Sequence, residues 1–164
     1  MALDIEEASD ADDSNFESSV IGQGDPLSMV LYQYYNADLL DIPKLPSELA
    51  AAYVDDVILI VTAKTFEGAH TILADMMTRE GGAMEWARQH NSKFEMSKLA
   101  LLNFLHHSKA VESPLLTIAD TKISASTSVK YLGLYLDQHL NWKDQLAYTT
   151  KKGSKWATQI KRVV

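Results

Sequence analysis

The 164-residue sequence has no cysteine. That excludes disulfides and cysteine-ligated zinc, and it suits a reducing, intracellular setting, nucleus or cytoplasm alike. No apolar run approaches the roughly 20 residues of a membrane-spanning helix, so no membrane segment is expected. The N-terminus lacks the basic flank and apolar stretch of a secretory signal, and nothing points to secretion. The first 25 residues hold eight acidic side chains and no Lys or Arg. From Tyr148 onward the pattern inverts, with five basic residues and no acidic one. The formal net charge of −7 therefore misleads, because beyond the acidic head 15 basic residues face 14 acidic ones, a net of +1. Such a body neither demands nor forbids a phosphate-rich partner.

What is present describes a globular chain. Hydrophobic residues make up 46% and charged residues 23%, enough for a core in one domain or a piece of a larger one. Residues 1–19 form an acidic segment, with Ala8 to Ser19 expected to be flexible. Pro26 suits a first helical position after the Gly22-Gln23-Gly24-Asp25 turn, where Asp25 can cap. The following helix shows Leu27, Val30, Leu31, Tyr34 and Tyr35 at the spacing of a buried stripe, and should stop before Pro43. Thr65 can cap a second helix through Ile72, Leu73, Met76 and Met77. Gly81-Gly82 breaks it, and a further helical segment carries Met84, Trp86 and Ala87, read as core packing. Lys98 to Leu105 reads as a strand, followed by His106-His107, which are read as solvated loop residues rather than metal ligands. Leu115 to Ile123 reads as a minor hairpin, and Val129 to Asp137 as an alternating strand in which Gly133 marks a bulge or a close approach. A basic helix runs from Trp142 to the end. The class is α+β, an antiparallel sheet backed by helices.

The most informative stretch is Leu49 to Thr62. Two apolar runs, the second of them rich in β-branched residues, flank Asp55-Asp56 and predict a β-hairpin with the acidic doublet at its tip. Two ionised carboxylates repel, and burying them among Tyr53, Val54, Val57 and Ile58 costs several kcal/mol unless a cation joins them. The plain reading is a solvent-exposed turn; the sharper one is a metal-binding pair for phosphoryl transfer.

Four stretches together resemble consecutive motifs of reverse transcriptases, most closely those of non-LTR retrotransposons. They are Gly22-Gln-Gly-Asp-Pro-Leu-Ser28, Tyr53-Val-Asp-Asp56, Asn91-Ser-Lys-Phe-Glu-Met-Ser-Lys98 and Tyr131-Leu-Gly-Leu-Tyr-Leu-Asp137; Asn36 to Leu40 and Asn141-Trp142 look like the same group. The resemblance spans about residues 20–164. It implies a partial polymerase palm over 20–140 and the start of a thumb, a basic helix, over 141–164. It implies RNA-directed DNA polymerase ancestry, with an RNA template, a DNA primer, dNTPs and two Mg²⁺ ions held between aspartates and nucleotide phosphates. By this likeness Asp55 is the principal metal ligand and Asp56 its neighbour. Gln23 and Gly24 would lie along template and nucleotide, and Lys98 near the triphosphate, although a plain surface lysine fits Lys98 equally. Tyr131, Leu132 and Gly133 would position the primer end. Lys151, Lys152 and Lys155 would touch backbone phosphates, or lie on a solvated helix face.

The family uses a third aspartate on an earlier strand. Leu3-Asp4-Ile5 resembles that motif, making Asp4 the partner of Asp55, but the interval to Gly22 is short, and the match at Asp4 can also be accidental. No fingers, endonuclease or RNase H segment matches. The chain alone is therefore expected to be weakly active or inactive, since loose geometry removes orders of magnitude in rate. A non-catalytic remnant that binds nucleic acid or a protein partner is the alternative.

Overall fold

The computed structural model describes residues 2–7, 26–105 and 113–161, with residues 2–7, 26, 28 and 29 described by their backbone alone. Strands β1 (Ala2–Glu7), β2 (Glu48–Tyr53), β3 (Asp56–Val61) and β4 (Ser92–Phe94) form a four-stranded sheet in the order β2-β3-β1-β4. All its pairings are antiparallel, and β1 meets β3 over residues 2–4 and β4 over residues 5–7. The β2–β3 ribbon is the hairpin that its flanking apolar runs predict. Its inward positions Ala50, Ala52, Val57 and Leu59 alternate with outward Leu49 and Tyr53, the period of a sheet with one solvated face.

Helix α1 (Pro26–Tyr35) passes into a short 3-10 turn, Ala37–Asp41, before the hairpin. Helix α2 (Phe66–Thr78) starts at Thr65, whose Oγ1 accepts the Gly68 N–H at 3.1 Å, and packs on β3. Helix α3 (Ala83–Gln89) follows the glycine pair. A parallel pair joins β5 (Leu101–Leu102) to β8 (Ala125–Ser126). Two small hairpins join β6 (Leu116–Ile118) to β7 (Thr121–Ile123) and β9 (Ser128–Tyr131) to β10 (Leu134–Asp137). Helix α4 (Lys143–Lys161) ends the described chain. The fold is mixed α+β with small, mainly antiparallel sheets. Among the described residues no helix is long and apolar enough to cross a membrane.

The core lies between the inner face of β2–β3 and α2, where Val57 and Leu59 meet Leu73, Met76 and Met77, with Leu39 and Ile42 closing one end and Leu116 and Ile118 the other. Trp86 and Ala87 are buried, so the Met and Trp positions do serve packing. The Trp86 indole stacks on the His90 ring at 4.4 Å, and Tyr35 meets both rings edge-on at 5.6 and 5.2 Å. Tyr35 Oη also shares a hydrogen bond with Ser92 Oγ at 2.9 Å, tying the end of α1 to β4.

One ion pair crosses this core. The Glu48 side chain is fully buried, and Arg79 grips it with both guanidinium ends, at 2.7 and 3.1 Å. Arg79 also donates to the Ile42 carbonyl and the Asp75 carboxylate, and the Lys44 N–H donates to Glu48 Oε2 at 2.7 Å. Both carboxylate oxygens are therefore matched, while the Arg79 Nε is buried without a partner; such matching offsets much of the cost of burying the pair.

The two glycines before α3 do different work. Gly81 has φ 70°, whereas a Cβ on Gly82 would lie 2.7 Å from the Met76 carbonyl oxygen and 2.8 Å from that of Arg79. Backbone atoms cannot step aside. In urea unfolding, Gly82→Ala is expected to cost about 1–3 kcal/mol. Gly81→Asn should cost little, because its Cβ site is open and Asn enters the left-handed region. Equal losses at both positions would refute this reading.

Several expectations are corrected. The α1 stripe is not buried: Leu27, Val30, Leu31 and Tyr34 are exposed, and only Tyr32 and Tyr35 of that helix's described side chains are half-covered. The helical period there marks amphipathicity rather than burial in this core. The strand from Lys98 to Leu105 shrinks to β5, because Met96–Lys98 coils into a 3-10 turn and only Leu101 and Leu102 find a partner in β8. Val129 to Asp137, whose alternation reads as one strand, is a hairpin, the element that the likeness implies over Tyr131 to Leu134. Leu132 and Gly133, at φ 46° and 81°, form its turn, and no atom approaches a Cβ at Gly133 within 4 Å. That glycine serves the turn rather than a close approach. Residues 2–7 of the acidic segment form a strand. The flexible stretch expected for Ala8 to Ser19, the Gly22–Asp25 turn and His106-His107 lie outside the described residues.

Candidate functional site

The hairpin tip is built by its turn. Tyr53 pairs with Asp56 as the last ladder position, leaving Val54 and Asp55 as the two central residues. Val54 has φ 55°, while Asp55 does not. A positive φ at the first central position follows the primed hairpin turns whose twist matches the strands, but those turns favour glycine there. A β-branched residue in that region is an outlier.

The acidic doublet sits beyond the core. Asp55 is exposed, as the plain reading of a solvent-exposed turn has it, and Asp56 is half-buried. The physical reason is position: the tip lies past the last residues covered by α2, so water rather than hydrocarbon meets Asp55. The desolvation cost that made the doublet conspicuous in sequence is correspondingly smaller.

Two other acidic or polar groups converge on the doublet. The β1–β3 register pairs Asp4 with Asp56, so two acidic positions face each other directly across neighbouring strands. Like charges directly opposite each other are destabilising in an antiparallel pair, and a cation between them removes the penalty. On the other side stands Tyr131, at the end of β9. Burial, and then the Asp56 carboxylate, hold its hydroxyl above the ordinary 10.0. The β9–β10 hairpin therefore reaches the acidic tip through Tyr131, while Leu132 and Gly133 form the turn just beyond.

An apolar cavity of about 610 Å³ opens beside this contact, between β3, the start of α2, the β5 segment and the β9–β10 hairpin. Ile58, Ile60, Phe66, Leu102, Val129 and Tyr131 are among its lining residues.

The remaining expected residues are spread more widely. Lys98 ends the 3-10 turn and pairs with Glu95, whose carboxyl that lysine and Ser97 hold below its usual value. Gln23 and Gly24 lie outside the described residues. Lys151, Lys152 and Lys155 are exposed on α4, a helix with no buried residue. The helix is tied to the β9–β10 hairpin by the Tyr135 N–H, which donates to Gln145 Oε1 at 2.9 Å, and by the Tyr135–Tyr148 ring contact at 5.2 Å. Lys130 and Lys152 both place their ammonium 6.0 Å from the Tyr148 ring. Asp137 shapes the entry to α4, accepting from Asn141, His139 and Trp142 N–H groups at 2.8–3.0 Å, and these bonds keep its carboxyl below the ordinary range.

Two residues of the site have roles that the sequence does not give: Asn36 opens a stretch that looks like the family but without an assigned part, and Arg79 carries no signal. Asn36, 2% exposed, donates its side-chain N–H to the Val54 carbonyl. Arg79 braces the far end of the same ribbon through Glu48. Both act across long separations, Asn36 from the turn after α1 and Arg79 from the end of α2.

Among the described residues no three ligand-type side chains cluster tightly enough to hold a metal by themselves. What the tip does offer is a pair of hard oxygen donors, one open to water, with a third acidic position opposite. That donor set suits Mg²⁺, which keeps several waters and binds through one or two carboxylates plus substrate phosphates. Comparison with protein-family models, with curated proteins and with solved structures finds no match to this chain.

Proposed function

We propose that the chain carries the metal-binding hairpin of a polymerase palm of the reverse-transcriptase type. The observation that carries the reading is the register of Asp4 against Asp56 at the tip of β2–β3, with Asp55 in the turn beside them. An acidic match at residue 4 that were accidental would have no reason to fall opposite the doublet. In this reading Asp55, Asp56 and Asp4 hold Mg²⁺. Bound Mg²⁺ supplies activation of an attacking 3′-hydroxyl and neutralisation of phosphate charge. Tyr131, Leu132 and Gly133 lie against the primer end, Gln23, Gly24 and Lys98 toward template and nucleotide, and Lys151, Lys152 and Lys155 toward backbone phosphates. RNA template, DNA primer and dNTPs are the partners this assigns.

The chemistry expected of the 164-residue chain by itself is weak. Exposed carboxylates bind Mg²⁺ loosely without substrate phosphates to complete the coordination, and an imprecisely held nucleotide reacts slowly.

The test is a Mg²⁺ titration of the full chain followed by backbone amide shifts, paired with primer extension on an RNA template. Shifts should concentrate at residues 53–57 and 3–5 and vanish in Asp55→Asn, along with any synthesis. Saturating Mg²⁺ that moves no tip resonance, or synthesis that survives Asp55→Asn, would overturn the proposal. Salt-sensitive nucleic-acid binding that persists in Asp55→Asn and disappears when residues 151–162 are neutralised, with no Mg²⁺ response at the tip, would favour the non-catalytic alternative.

A further inference from the structure

We infer that Asn36 is the positioning residue of the acidic tip, holding Val54 in its left-handed conformation and so fixing where Asp55 and Asp56 point. The metal-binding consequence rests on the proposed function; the geometric role does not.

The inference starts from strain. Val54 sits at φ 55°, where a β-branched side chain crowds its own backbone. Such a residue stays there only when its surroundings over-determine it. Tyr53 and Asp56 fix the flanking ladder, and Asn36 Nδ2 donates a side-chain hydrogen bond to the Val54 carbonyl.

Asn36 is well placed to impose this. It precedes the 3-10 turn Ala37–Asp41, a position where Asn ordinarily caps, yet its side chain makes no capping bond. Its donor is spent on the hairpin instead. Its backbone is pinned on both sides, its N–H donating to the Tyr32 carbonyl at 3.0 Å and its carbonyl accepting from Leu39 N–H at 3.0 Å. Leu39 and Ile42 then anchor the turn in the core at 0% and 1% exposure. The carboxamide orientation is unambiguous, because the flipped form would set oxygen against the Val54 carbonyl oxygen; Oδ1 itself has no hydrogen-bond partner. Beside this tie lies a cavity of about 310 Å³ lined by Gln33, Asn36, Leu40, Ala52 and Val54. It gives the tip room to relax once the tie is cut.

The experiment compares Asn36→Ala and the near-isosteric, uncharged Asn36→Leu with the same changes in a Val54→Gly background. Amide hydrogen exchange across residues 53–57 and the Mg²⁺-induced shifts of the same amides are read on the full chain. Loss of the donor should accelerate exchange at the tip about tenfold, the scale of one net hydrogen bond, with exchange in α2 unchanged. Glycine adopts positive φ freely, so in the Val54→Gly background the effect of either Asn36 substitution should fall to about twofold or less. Asn36→Leu, which keeps the side-chain volume and removes the donor, serves where the alanine variant folds poorly. Unchanged tip exchange in both variants would overturn the inference. So would a loss equally large with glycine at position 54, which would mark Asn36 as general core packing. Tip exchange that responds as expected while Mg²⁺ moves no resonance would leave the positioning role standing and remove the metal-binding reading.

Discussion

Replacing Arg79 with Met is expected to destabilise the protein by about 3–5 kcal/mol in urea unfolding, because it strands a carboxylate in the interior. The Glu48 side chain has no exposure, and among the described residues the Arg79 guanidinium is the charged group bonded to it; the Lys44 and Leu45 N–H groups would remain as neutral donors. Against a total stability of about 5–15 kcal/mol for ordinary domains, that loss brings the fold close to unfolding. Glu48→Met in the same chain should recover most of it, since two well-packed apolar side chains in place of a buried pair are often neutral or better. The hydrogen bond from Arg79, then the other donors, hold the Glu48 carboxyl below its ordinary 4.5. The folded-state value is the lower one, so the stabilisation is complete above the unfolded value. It is lost as pH falls from about 4.5 down through the folded value. The Arg79→Met/Glu48→Met double variant should lack that acid-sensitive component. A single Arg79→Met variant within about 1 kcal/mol of the parent would show that the pair adds little. Because Glu48 opens β2, the same substitution should loosen the base of the ribbon whose other end carries Asp55.

The second large effect is at Trp86. Trp86→Ala is expected to cost about 3–5 kcal/mol, the range for emptying a buried aromatic site. The indole is 5% exposed and fills the space between α3, β4 and the end of α1, stacked on His90 and edge-on to Tyr35. Its Nε1 is buried without a hydrogen-bond partner. Trp86→Phe therefore forfeits no hydrogen bond and removes an unsatisfied donor, so it should cost well under half as much as the alanine change. Thermal unfolding of the two variants checks the ratio, and equal losses would mean that ring stacking and volume matter less than the contacts suggest. The consequence for the site is indirect. Tyr35 precedes Asn36, so emptying the aromatic cluster should also speed amide exchange at Val54 to Asp56, where a cavity made elsewhere in the core would not.

Local chemistry alone settled much of this protein. Two apolar runs, the alanine-rich β2 and the β-branched β3, around Val54-Asp55 make the hairpin, because chain reversal and burial are both written in adjacent residues. Thr65, the Gly81-Gly82 break and the Asp120 turn between β6 and β7 are likewise readable, since a cap or a positive φ is a property of a few adjacent residues. What no window of neighbouring residues contains is the partner of each exposed face or buried charge. Insertion of β1 between β3 and β4 brings Asp4 opposite Asp56 across some fifty residues of chain, and loop closure over that distance leaves no local imprint. The exposure of the α1 stripe, the shortness of β5, the Arg79–Glu48 pair and the Asn36–Val54 tie were decided the same way. Periodicity says which residues could be covered; only the assembled fold, by supplying or withholding a neighbour, says which are.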